Sequence, residues 1–162
     1  GAEQSGPAAA RAELYQGKRV VLTPLPENSA TSVARVRAAW ELCGAQVSEL
    51  TAEQHDEVFA AVSHLPHLLA FTLVHDLAQR DNRDQLLSFA ASGFRDFTRI
   101  AASSPEMWRD ISLANRDALL REIEQYAAEL YQLHQALEQR DAGKLEEIFS
   151  LAREVRSNWT PQ

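Results

Sequence analysis

Two imidazoles flank a proline in the run Ser63-His64-Leu65-Pro66-His67. Rings at positions i and i+3 lie near one face of a helix. The proline removes a backbone N–H and crowds the carbonyl one turn back, so that helix must bend close to His64 and His67. Three uses fit these residue types. The pair could ligate a metal, although no third ligand lies near in sequence to complete a zinc set. It could be a pair of hydrogen-bonded core residues. It could also line a polar pocket, where carbonyls freed at the kink and imidazole donors receive an anion. A second run, Ser92-Gly93-Phe94-Arg95-Asp96-Phe97-Thr98-Arg99-Ile100-Ala101, sets Arg99 among apolar neighbours with Asp96 one helical turn earlier. As an exposed ion pair those two contribute only about 0.2–0.5 kcal/mol. If Phe97 and Ile100 partly bury Arg99, its planar fork instead suits a carboxylate ligand, with Asp96 holding it in place. The third cluster, Ser103-Ser104-Pro105 and Met107-Trp108-Arg109-Asp110, reads on its own as a capped helix start with a buried Trp.

The elements that must position these groups follow from periodicity. Lys18 to Thr23 is a β-branched run stopped by Pro24 and Pro26, a buried strand. Asn28 or Ser29 can cap a helix whose inner face carries Val33, Val36, Trp40 and Cys43 before Gly44 ends it. A short strand, Ala45 to Leu50, follows, so residues 18–50 spell strand, helix, strand at a length suited to a right-handed crossover. Two strands leave open edges, so this segment is expected to be part of a larger sheet.

From Thr51, where Thr51-Ala52-Glu53-Gln54 forms a capping box, the pattern turns helical. Val58, Val62, Leu65, Leu69, Leu73 and Leu77 form one stripe, kinked at Pro66. Breaks are expected at Asp81 to Asp84 and at Ser92-Gly93, around a short helix from Gln85 to Ala90. Ser104 and Pro105 open another helix. The stripe Leu119, Ile123, Tyr126, Leu130, Leu133 and Leu137 marks a long amphipathic helix fit for packing or dimerisation, and Lys144 to Asn158 a last one.

With 45% apolar and 24% charged residues the chain has the composition of a folded soluble domain. Its net charge of −7 opposes binding to phosphate backbones, so nucleic acid is not an expected partner, and any anionic ligand must be met by locally gathered Arg and His. The single cysteine, Cys43, rules out an intrachain disulfide, fits a reducing cytoplasm, and is expected in the core. No uninterrupted apolar run or leader pattern points to a membrane or to export. GxGxxG, P-loop and GxSxG signatures are absent.

Gly1-Ala2-Glu3-Gln4-Ser5-Gly6, Val20-Val21-Leu22-Thr23-Pro24, His55-Asp56, Ser63 to His67, Gly93 to Ala101 and Met107 to Ile111, taken in order, resemble prephenate and arogenate dehydrogenases along nearly the whole chain. The resemblance implies a mainly α fold. A helical substrate-binding and dimerisation domain, residues 51–162, would follow the last strand, helix and strand of a Rossmann α/β domain, residues 1–50. It implies NAD or NADP as cofactor, prephenate or arogenate as substrate, and a homodimer formed through the C-terminal helices. The catalytic His and the glycine-rich cofactor loop would lie upstream of Gly1, leaving these residues inactive alone. Arg99 would pair with the ring carboxylate, and His67, with His64 beside it, would line the same pocket. Glu3 and Asp96 would form a charged gate, with Ser103 and Trp108 nearby. Ala2 stands where the family often has Thr, which removes a hydroxyl contact there. A non-enzymatic helical interaction module, using the Leu119 to Leu137 stripe, is the competing expectation.

Overall fold

In the computed structural model, which describes residues 6–160, the chain divides into two compact units. One comprises Gly1–Ala52 with Glu124–Gln162, the other Glu53–Ile123. In the first, strands β1 (Arg19–Leu22) and β2 (Gln46–Glu49) pair in parallel, Arg19 opposite Gln46 and Leu22 opposite Glu49, with helix α1 (Ala30–Leu42) between them in sequence. Ser29 caps α1, its Oγ accepting from the Ser32 amide at 3.2 Å. Gly44 makes the turn into β2 at a φ of 83°, a region that favours glycine. Arg37 ties α1 to β2: it donates to the Val47 carbonyl at 3.0 Å and to the Glu49 carboxylate at 2.6 Å.

The inward stripe of α1 differs from the expected one. Val33, Arg37 and Trp40 are the half-buried positions, whereas Val36 and Cys43 are exposed. Cys43 is not a core residue because the helix ends at Leu42, and the chain turns away at Cys43 (φ −77°, ψ 1°) before another inward position is reached.

The second unit starts with a long helical stretch in three parts: α2 (Ala52–Phe59), a π-helical turn (Ala60–His64) and α3 (Leu65–Ala78). Pro66 sits in the first turn of α3, where its missing N–H costs least, and the Leu65 amide reaches back to the Ala60 carbonyl in the wide π pattern. The expected bend at Pro66 therefore takes the form of a π turn. The expected stripe holds at Leu65, which is buried, and at Leu69, which packs beside it, but fails upstream: Val58 and Val62 are exposed while Ala60 is buried, because the π turn adds a residue to the helical repeat. Ala60 and Leu65 pack with Ala118 and Leu119, flanked by Leu68 and Leu69. By length and composition Ala52–Ala78 would suffice to cross a bilayer; it carries His55, Asp56, His64 and His67, and its Ala60 and Leu65 enter the core cluster of this unit.

Helices α4 (Arg83–Ser88) and α5 (Ser92–Thr98) follow, then a 3-10 turn (Arg99–Ala102) that packs on α3. Ser92-Gly93 opens α5 instead of interrupting the chain; the break lies at Phe89–Ala91. Helix α6 (Pro105–Ala114) and helix α7 (Arg116–Glu138) are separated by Asn115 alone, and α8 (Ala142–Asn158) is capped by Asp141, which accepts from the Lys144 amide at 2.9 Å. Along α7 only the first part of the expected stripe is buried: Leu119 is 2% exposed, Leu130 50% and Leu137 60%.

Candidate functional site

Trp108 is the centre of the site. Ser104 accepts from the Met107 amide at 3.3 Å and Pro105 opens the first turn, so α6 begins where the sequence places it and turns Trp108 inward, 7% exposed. The His67 ring stacks on the indole with centroids 3.7 Å apart and planes 21° apart, and His64 meets it edge-on at 6.0 Å. Phe59 lies 6.5 Å from His64 and stacks in turn with His55 at 4.4 Å. Each such ring contact contributes about 0.5–1.5 kcal/mol beyond area burial, enough to hold the imidazoles in defined orientations.

Hydrogen bonds then decide what each ring offers. His67 Nδ1 donates to the Ser63 carbonyl at 2.8 Å, which leaves Nε2 for a ligand. The Asn115 amide nitrogen donates to the Asp56 carbonyl at 2.8 Å and lies 3.1 Å from His64 Nδ1. Burial, and after it the neighbouring His55, lower the pKa of His64, so its ring is held neutral. Trp108 Nε1–H is buried and finds no acceptor among the described residues. An unmet buried donor costs about 1–3 kcal/mol, which an incoming acceptor such as a carboxylate would offset.

Arg99 heads the 3-10 turn that packs on α3, the helix carrying His67. It is exposed, not half-buried between Phe97 and Ile100, because it stands where α5 gives way to the tighter turn and Phe97 is itself exposed. Asp96 is exposed as well, and its carboxylate accepts from Arg95 Nε at 3.3 Å. Ser103 is half-buried at the end of the turn, its amide donating to the Ile100 carbonyl at 3.2 Å. Glu3 lies outside the described residues. Among the described residues no group of His, Cys, Asp and Glu is gathered that could hold a metal. The structure thus brings His64, His67 and Trp108 together and sets the turn of Arg99 against the same helix.

The family model for the prephenate dehydrogenase dimerization domain matches residues 51–151, and that for the prephenate dehydrogenase nucleotide-binding domain matches residues 1–49. The chain belongs to the prephenate dehydrogenase family. Among curated relatives of this family, cyclohexadienyl dehydrogenase of Zymomonas mobilis is 37% identical over 96% of the chain and 54% of its own length. Prephenate dehydrogenase of Bacillus subtilis is 38% identical over 96% of the chain and 42% of its own length. The crystal structure of A. aeolicus prephenate dehydrogenase in complex with hydroxyphenyl propionate and NAD+ superposes with a TM-score of 0.90 at 37% identity, covering 97% of this chain and 55% of that one. Synechocystis arogenate dehydrogenase gives 0.79 at 26% identity, covering 91% and 54%. The chain spans about half the length of the curated relatives it matches.

The prephenate dehydrogenase family is one of oxidoreductases, and residues 1–49 match part of its nucleotide-binding domain, but the turn after β1 is not a glycine-rich phosphate loop. The turn after β1 is Thr23-Pro24-Leu25-Pro26, which lacks both the glycines that let a backbone approach a pyrophosphate and the amides that prolines remove. Sequence reasoning also passed over Asn115, the buried polar residue beside His64. An Asn between two helical patterns reads as an ordinary helix end, and its partners lie 51 and 59 residues away.

Proposed function

We propose that this chain is the substrate-binding and dimerisation part of an NAD(P)-dependent prephenate dehydrogenase, which oxidatively decarboxylates prephenate to 4-hydroxyphenylpyruvate in tyrosine biosynthesis. Arogenate, giving tyrosine, is the alternative substrate. In this reading residues 51–162 are the helical domain and residues 1–50 the end of the nucleotide-binding domain, and residues 1–162 alone neither bind NAD or NADP tightly nor turn over substrate. The observation that carries the reading is the donor cluster of His64, His67 and Trp108, with an unmet indole N–H at its centre, beside the turn of Arg99. Prephenate has two carboxylates. Arg99 grips the ring carboxylate with its planar fork, which defines the geometry from which carbon dioxide departs. The imidazoles and the indole N–H receive the rest of the anion. Asp96 and Glu3 gate Arg99, and Ser103 borders it.

The exposed apolar positions of α7 and α8, among them Leu130, Leu137, Phe149 and Val155, support self-association as a homodimer through these helices. A net charge of −7 argues against nucleic acid, and the lone exposed cysteine fits a reducing cytoplasm. Hydroxyphenyl propionate, the ligand of the A. aeolicus relative, is a suitable carboxylate probe for this site. The test is prephenate-dependent reduction of NAD+ and NADP+ by a full-length polypeptide carrying these residues, compared with its Arg99→Ala variant. Loss of a charged carboxylate contact is expected to cost about 2–5 kcal/mol, mainly as a raised KM. An unchanged KM would remove Arg99 from the site.

A further inference from the structure

Asn115 is the buried polar side chain of the helical unit, 7% exposed, at the single-residue break between α6 and α7. Chemistry fixes the orientation of its amide. The atom 2.8 Å from it on Asp56 is a carbonyl oxygen, which only accepts, so the amide group facing it is the NH2. The same nitrogen stands 3.1 Å from His64 Nδ1 and has a second hydrogen to give. A proton on Nδ1 would set N–H against N–H, so Nδ1 must accept, and the neutral ring must carry its proton on Nε2.

We propose that Asn115 is a positioning residue that locks His64 as the neutral Nε2–H tautomer, so that the ring presents a fixed hydrogen-bond donor within the cluster it forms with His67 and Trp108. The functional value of that donor rests on the reading above, that this cluster receives an anionic substrate. A ring free to exchange tautomers would offer a lone pair at Nε2 part of the time and repel a carboxylate. A ring bonded to a carboxylate at Nδ1 would be biased the wrong way.

The surroundings act in the same sense. His55 from α2 and His67 from α3 disfavour a second proton on His64; the Asp56 carboxylate, bonded to His55 Nδ1 at 3.0 Å, favours one; Trp108 from α6 brings no charge. Burial outweighs these and disfavours the charged ring. Because the imidazolium would also have to break its bond to Asn115, the lock resists acid as well as tautomer exchange.

The test is long-range 1H–15N NMR of the histidine rings in the 162-residue chain, with His64 assigned by the signal lost in His64→Gln. The wild-type ring is expected to show a protonated Nε2, a bare Nδ1 and a titration midpoint below the usual histidine range. In Asn115→Asp the carboxylate accepts from Nδ1, so the proton should move to Nδ1 and the midpoint rise by about one pH unit or more. In Asn115→Ala the two tautomers should mix. In the full-length polypeptide, Asn115→Asp should carry the acid limb of kcat/KM upward by the same shift, which a merely structural role would not do. A wild-type ring protonated at Nδ1, or found as a tautomer mixture, overturns the proposal whether or not the variants fold. So does an Asn115→Asp ring with an unmoved proton and midpoint. These spectra need no substrate, so an intact lock together with an unchanged KM in Arg99→Ala would sink the substrate reading alone.

Discussion

Replacing Trp108 by Phe separates the cost of its buried N–H from the value of its ring. The indole is 7% exposed and Nε1–H meets no acceptor among the described residues, so the unliganded protein carries a penalty of about 1–3 kcal/mol that Phe would relieve. Phe also forfeits roughly three ring atoms of burial, about 2 kcal/mol, but keeps an aromatic face for His67, now stacked at 3.7 Å. The two effects nearly cancel, and the net change in unfolding free energy is expected to stay within about 1 kcal/mol, far from the roughly 3–5 kcal/mol of truncation to Ala. For a chain of this size that is a Tm change of no more than about 4 °C. Binding of the aryl carboxylate probe to the full-length polypeptide should weaken about tenfold, because the donor it would have satisfied is gone. Urea unfolding and calorimetric titration read the two effects separately. A loss of stability above about 2.5 kcal/mol would mean that Nε1–H is already satisfied in the unliganded protein. Unchanged probe affinity would mean that it faces no ligand.

Leu119, 2% exposed within the cluster of Ala60, Leu65 and Ala118, should cost about 3–5 kcal/mol of unfolding free energy when cut to Ala. Leu130→Ala, on the same helix but half exposed, should leave monomer unfolding nearly unchanged and weaken self-association in sedimentation equilibrium. Acid should act through His64: its pKa is lowered in the folded chain, so the unfolded chain takes up the proton first as pH falls. The stabilisation from keeping it neutral is complete above the ordinary histidine range and disappears as pH drops through the lowered folded value. Urea titrations from about pH 7.5 down to about pH 5 should therefore show the wild type losing more stability than His64→Gln; parallel losses would contradict a depressed His64.

Features written in local chemistry were legible in the sequence. The caps at Ser29 and Ser104, the stop at Gly44 and the strand between Lys18 and Thr23 depend on neighbours a few residues away, and each falls where periodicity and capping place it. From residue types alone His64, His67 and Trp108 stood in two separate short runs, and only the family resemblance put them at one pocket, because residue types show what a ring can do but not which ring it will touch. Asn115 was invisible for the same reason: a short polar side chain at a helix junction becomes informative only when the carbonyl and imidazole it bridges are known. The exposure of Arg99 and Phe97 depends on where α5 tightens into a 3-10 turn, and a one-residue difference in that boundary redirects both side chains.

The π turn is what converts a kinked helix into a site. In a regular α-helix each residue advances about 100° around the axis, so residues five apart stand far round from one another. Here Phe59 and His64 are five apart and their rings lie 6.5 Å from each other; Ala60 and Leu65, also five apart, enter the same core. The wide i to i+5 pattern accounts for both. It also explains why, of the stripe expected with a kink at Pro66, Val58 and Val62 end up exposed while Leu65 is buried: the added residue changes the phase between the two sides of the turn. With the phase shifted, α2 brings Asp56 and the π turn brings His64 within reach of one side chain on the opposing junction, and the Ser63 carbonyl is available to hold His67. Tautomer control and ring stacking thus follow from one irregular turn set by Pro66, a helical defect whose backbone cost is met by the polar contacts it makes possible.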